Sequence, residues 1–151
     1  MIQRIQTLYM LLSAVLGVVC LSLPLGHFYT AQGEPYAQLY NLWVRLSEAG
    51  THQLAPWALF ALLVGVTTLT LLGILFYRRR ALQMRLLSFC MILLVGYYAW
   101  LLAFVFMYKL DGAFRPTLTA GLPLVSLILL YLAFRGVLKD EMLVRSLDRL
   151  R

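Results

Sequence analysis

Two histidines, His27 and His52, with Glu34 and Glu48 between them, come nearest to a metal-ligand set in this sequence. Convergent ligation leaves a signature such as His-x3-His or Cys-x2-Cys, and neither spacing occurs. The pattern predicts two solvated histidines beside an apolar segment. The two cysteines, Cys20 and Cys90, lie in separate apolar stretches. Taken as helices, those stretches place the thiols at depths that differ by roughly 15 Å. A disulfide needs Cα atoms within about 7 Å, so both cysteines are expected to act as small apolar side chains. Nucleophile motifs are missing as well: there is no Gly-x-Ser-x-Gly, no His-Glu-x-x-His and no phosphate-binding glycine loop. Neither an enzymatic activity nor a cofactor is expected.

What remains is a set of cations and amides. Arg78, Arg79, Arg80, Gln83 and Arg85 cluster between two apolar stretches, and Lys139, Arg145 and Arg149 follow the last one. Such a surface could hold anionic lipid headgroups, at about 1 kcal/mol per cation near a membrane. A protein partner or an RNA could use the same charges. The plainer expectation is that they only set topology, and nucleic acid is not expected as a partner. Hydroxyls at Ser13, Thr67, Thr68, Thr70, Ser88 and Ser126 fall inside the apolar stretches. Hydroxyls there more often bond a backbone carbonyl or a neighbouring helix than a substrate.

The elements that must position these groups are set by composition. The chain has 151 residues, 62% hydrophobic and 13% charged. A typical soluble domain carries about 45–50% apolar and roughly 25% charged residues. Residues 5–25, 55–77, 86–108 and 117–134 form four apolar stretches without Asp, Glu, Lys, Arg or His. Each has about the 17–25 residues needed to cross a hydrocarbon core as a helix. The first is not expected to be a cleaved signal, because Leu23-Pro24-Leu25 follows it where a small-x-small site would stand. Val18 and Val19 before Cys20 argue against a lipoprotein in the same way. The fold class expected is an all-α membrane protein, one domain built as an antiparallel bundle of four transmembrane helices.

Orientation follows from the 13 Lys and Arg residues, which divide ten to three. Arg4, the 78–85 loop and the 135–151 tail hold the ten; Arg45, Lys109 and Arg115 are the three. The richer side marks the cytoplasm, so both termini are expected inside, in a multi-pass protein of the bacterial inner membrane. Tyr77, Tyr108, Phe28, Tyr29 and Trp57 fall at span ends, where amphipathic rings favour the headgroup zone. Tyr97, Tyr98 and Trp100 fall mid-span and are expected to find partners inside the bundle.

The short loops 78–85 and 109–116 predict that consecutive spans are antiparallel neighbours. Pro116 suits the first turn of the fourth span, and Pro123 predicts a kink or a late helix start. The 26–54 segment forms the one sizeable outer loop. Gln32-Gly33-Glu34-Pro35 is a turn signal, and Tyr36, Gln38 and Tyr40 alternate with Ala37, Leu39 and Asn41. These features favour a hairpin with a helical turn near Trp43; a short helix from Pro35 to Gly50 is the alternative, with Leu39, Leu42, Trp43 and Leu46 on one face. Leu143, Leu147 and Leu150 recur at helical spacing in the tail, which predicts a helix continuous with the fourth span into the cytoplasm.

The opening Met1-Ile2-Gln3-Arg4-Ile5-Gln6-Thr7-Leu8-Tyr9, the loop Arg80-Ala81-Leu82-Gln83-Met84-Arg85-Leu86 and the tail from Lys139 to Arg151 carry a resemblance along the whole chain. They resemble an uncharacterised family of small four-span membrane proteins from Bacteroidota, a domain of unknown function. The resemblance implies an inner-membrane location and the same topology, and no activity. It also gives weight to Gln3, Gln6, Gln83, Ser146 and Asp148, which topology alone does not require. A weaker likeness, to claudin-type four-span proteins, rests on Asn41-Leu42-Trp43 and lacks the cysteine pair that should follow. The expected function is therefore a non-enzymatic accessory or scaffold subunit, holding a protein partner or further copies of itself through its basic cytoplasmic face. The alternative is a small transporter or channel for a neutral or apolar solute.

Overall fold

The computed structural model describes residues 2–47, 52–53, 56–77, 79–108 and 112–148. Four long helices dominate it: α1 (Ile2–Ser22), α2 (Trp57–Leu75), α3 (Arg80–Tyr108) and α4 (Leu122–Asp148). All four are long and apolar enough to cross a membrane. Their surfaces agree with that solvent: Ile5, Leu8, Val15, Ile92, Val95, Phe106 and Ile128 are all at least half exposed. A contiguous apolar surface of this kind is excluded from water in a soluble monomer. Within lipid the backbone must satisfy its own polar groups, which a helix does along its whole length.

Each helix packs against two others, α1 against α2 and α4, and α3 against α2 and α4. The shared interior is filled by Met10, Leu59, Leu63, Leu87, Cys90, Leu94 and Leu130, all buried. Thr67, Thr68 and Thr70 return their hydroxyls to the carbonyls of Val64 and Val66 on their own helix. Ser126 reaches across instead, its hydroxyl donating to the Ser13 carbonyl at 3.4 Å.

A five-stranded antiparallel sheet caps one end of the helices. Its strands are β1 (Gly26–Tyr29), β2 (Pro35–Leu39), β3 (Val44–Leu46), β4 (His52–Gln53) and β5 (Ala113–Pro116), in the order β4-β3-β2-β1-β5. The β1–β2 hairpin closes where the turn signal predicted it. Thr30 and Glu34 are bonded across the turn, and Gly33 has φ +86°, a value that favours glycine. The inner face of the sheet presents Phe28, Ala37, Leu39 and Val44, all buried. Phe114 joins it from β5, with its ring centroid 4.9 Å from that of Phe28.

Several expectations are corrected. No helical turn forms near Trp43. The Tyr40 N–H bonds the Trp43 carbonyl at 2.9 Å, and the chain goes straight into β3, whose pairing with β2 satisfies its backbone. Pro116 does not open the fourth helix but ends β5, opposite Gly26. A 3-10 turn, Leu118–Gly121, follows, and α4 begins at Leu122 with Pro123 in its first turn, where a missing N–H costs nothing. That is the late start Pro123 predicted. Helix α3 begins at Arg80 rather than near residue 86, so Gln83 and Arg85 belong to a helix and not to a loop. Trp100 finds no place inside: it is half exposed in a groove between α2 and α3. Helix α4 runs unbroken from the last apolar stretch into the tail, through Gly136.

Candidate functional site

At the end of the helices opposite the sheet, all four contribute to one pocket of about 300 Å³. Gln6 and Thr7 come from α1, Leu75 from α2, Arg80 and Gln83 from α3, and Asp140 from α4, with Tyr77 at the turn between α2 and α3. The amide of Gln6 is 6% exposed and that of Gln83 5%, unusual burial for side chains at the ends of apolar helices.

Gln6 Nε2 donates to Asp140 Oδ2 at 2.8 Å, tying the first turns of α1 to the tail end of α4. This contact needs a helix without a side chain at Gly136. An added Cβ there would stand 2.8 Å from Gln6 Cγ and 3.0 Å from its Nε2. Gly136 and Asp140, four residues apart on α4, therefore share the face that receives Gln6. From α3, an Arg80 guanidinium nitrogen donates to the Asp140 carbonyl at 3.4 Å. Gln83 Nε2 points at the Met10 thioether at 3.4 Å, a weak acceptor for a buried amide.

The residues singled out by sequence separate into groups. Arg79, Arg85 and Lys139 are exposed and do not line the pocket, and Arg80 is half-buried at its wall. Gln83 is not on the surface where the sequence placed it but inside, because α3 starts early and turns that position toward α1. Arg78 and Arg149 lie outside the described residues, as does the side chain of Arg145. Asp140 was legible only as one more tail charge, although its spacing from Gly136 was a usable signal.

The site offers one guanidinium, one carboxylate, two amides, a hydroxyl and a phenol over an apolar floor of Ile74, Leu75 and Val137. Among the described residues, no group of three His, Cys, Asp or Glu gathers anywhere. Its capacity is to hold a polar group by hydrogen bonds and charge.

A second buried polar cluster lies at the sheet end. Asn41, fully buried between β2 and β3, donates from Nδ2 to the Cys20 carbonyl at 2.7 Å. That carbonyl is among the last four of α1, which have no partner within the helix. Tyr97 completes the arrangement, its hydroxyl donating to Asn41 Oδ1 at 2.8 Å, and Tyr98 donates to the Ala120 carbonyl at 2.8 Å. The Asn41 bonds plug the sheet into α1 and α3, and the Tyr98 bond ties α3 to the 3-10 turn before α4. The cysteines are free and buried, Cys20 in this cluster and Cys90 beside Thr70 and Val66.

Residues 2–150, nearly the whole chain, match the model of a family described as a domain of unknown function (DUF4293). The chain belongs to that family. No curated protein matches it. Membership in DUF4293 thus brings no activity with it, and the geometry has to carry the functional argument.

Proposed function

We propose that this DUF4293 protein is a non-enzymatic accessory or scaffold subunit of a bacterial inner membrane, of the kind found in Bacteroidota, and that it holds a protein partner at its arginine-rich end. In this reading the four helices form a membrane-spanning bundle with both termini in the cytoplasm. The ten-to-three division of Lys and Arg supports that orientation. The observation that carries the functional reading is the convergence of Gln6, Arg80, Gln83 and Asp140 on one pocket. Neither spanning a membrane nor setting topology requires two buried amides and a bonded carboxylate at a helix end. Arg79, Arg85 and Lys139, exposed and within two residues in sequence of the pocket-lining Arg80, Gln83 and Asp140, supply charge for a partner's acidic groups or for anionic headgroups beside it.

A transporter for a neutral solute has less support. The hydroxyls of α2 are bonded to their own helix, and the middle of the helices is filled by Leu63, Leu87, Leu94 and Leu130.

Crosslinking in intact cells followed by purification tests the proposal. Wild type is expected to recover a defined partner that is lost when Arg79, Arg80 and Arg85 are all changed to Gln, with membrane insertion unaffected. An identical set of crosslinked proteins from both forms would contradict it.

A further inference from the structure

The outer face of the sheet carries a feature that the proposal above does not use. Strand pairing sets Arg115 of β5 opposite His27 of β1, His27 opposite Gln38 of β2, Gln38 opposite Arg45 of β3, and Arg45 opposite His52 of β4. From Arg115 to Arg45 one cross-strand row thus reads Arg-His-Gln-Arg, built from residues far apart in sequence. Alternation along the strands puts the row away from the helices, since its neighbours Phe28, Ala37, Leu39 and Val44 are the buried ones. Arg45 and Arg115 are exposed, and His27 and Gln38 partly so. With strands about 4.8 Å apart, the two arginines at the ends of the row stand roughly 14 Å from each other.

Arg115 is held in place, its guanidinium 4.7 Å from the centroid of the Tyr29 ring. Gln38 is oriented by the Tyr40 hydroxyl at 3.4 Å, and Tyr40 in turn lies against Trp43, ring centroids 5.7 Å apart. Among the described residues the acid on this side is Glu34, at the tip of the β1–β2 hairpin and off the row.

We propose that this row binds an acidic glycan, an extended chain of sugars bearing carboxylates or phosphates, laid across the strands. Charge complementarity calls for an anion, and the length of the row calls for a chain of anions in place of a single one. An acidic peptide would dock by adding a strand at a sheet edge, whereas this row crosses the open face. Donors from Arg, His and Gln match carboxylate, phosphate and hydroxyl oxygens. The ring of Tyr40 beside the row supplies flat apolar surface for a sugar ring.

The test is equilibrium binding to the purified full chain in detergent, with oligogalacturonate as the probe. A neutral maltooligosaccharide of equal length and a polyglutamate of equal charge serve as comparisons. Binding of oligogalacturonate that weakens with added salt is expected, with no binding of the neutral glycan and weaker binding of polyglutamate. Arg45→Gln with Arg115→Gln weakens it about tenfold or more through loss of two charge-assisted contacts, while Arg79→Gln with Arg85→Gln at the other end leaves it unchanged. Circular dichroism and the thermal midpoint establish that the double variants remain folded. Binding no weaker in the Arg45/Arg115 variant, equal affinity for polyglutamate, or no binding of oligogalacturonate would each overturn the proposal.

Discussion

Asn41 joins three elements through one side chain, giving a hydrogen bond to the Cys20 carbonyl and receiving one from Tyr97. Removing it leaves a helix-end carbonyl and a phenol without these partners in a buried site, at about 1–3 kcal/mol for each group. Asn41→Ala is therefore expected to lower the thermal midpoint in detergent clearly, and Tyr97→Phe to lower it less. Because the two side chains act on one bond, the double variant should cost less than the sum of the single ones. Additive losses would show that the Asn41–Tyr97 bond contributes nothing. None of this was legible in the sequence. Tyr97 could be expected to seek a partner inside the helices, but Asn41 lies 56 residues away, in what reads as an outer loop. The same holds for Gln6 and Asp140, separated by 134 positions. Side-chain partners at such distances leave no local pattern, and only the presence of amides where lipid demands none marked the positions.

The four long helices were legible because lipid imposes length and polarity on each span independently of its neighbours. The β1–β2 hairpin was legible from its turn and its alternation. Strands β3, β4 and β5 were not, being only three, two and four residues long. They exist because the hairpin offers edges beside the ends of the helices, a tertiary cause. Glycines separate elements that depend on close geometry from those that do not. At Gly33, with φ +86°, a β-branched residue strains the turn, so Gly33→Val should destabilise the protein by about 1–2 kcal/mol. At Gly65 no atom lies within 4 Å of where a Cβ would stand, and Gly65→Ala should be neutral or stabilise by up to about 1 kcal/mol. Thermal melts of the two variants check both signs. Gly17, by contrast, marks a close approach of α1 and α2, facing the Thr67 methyl, while Gly65 lines an open groove.

At the scale of the molecule, apolar helix surfaces face outward along the length, a sheet with a cationic row closes one end, and a polar pocket lined by Gln6, Arg80, Gln83 and Asp140 opens at the other. Both functional proposals follow from that polarity, the pocket end meeting a partner in the cytoplasm and the sheet facing out. Cysteine accessibility tests the arrangement most directly. Gln32→Cys at the exposed hairpin tip and Ser146→Cys on the exposed tail of α4 give one reporter at each end, and the native thiols are buried. In intact spheroplasts treated with a membrane-impermeant maleimide, Cys introduced at position 32 should be labelled at once, and Cys introduced at position 146 only after the membrane is opened. Equal labelling of both before opening, or the reverse order, would contradict the account.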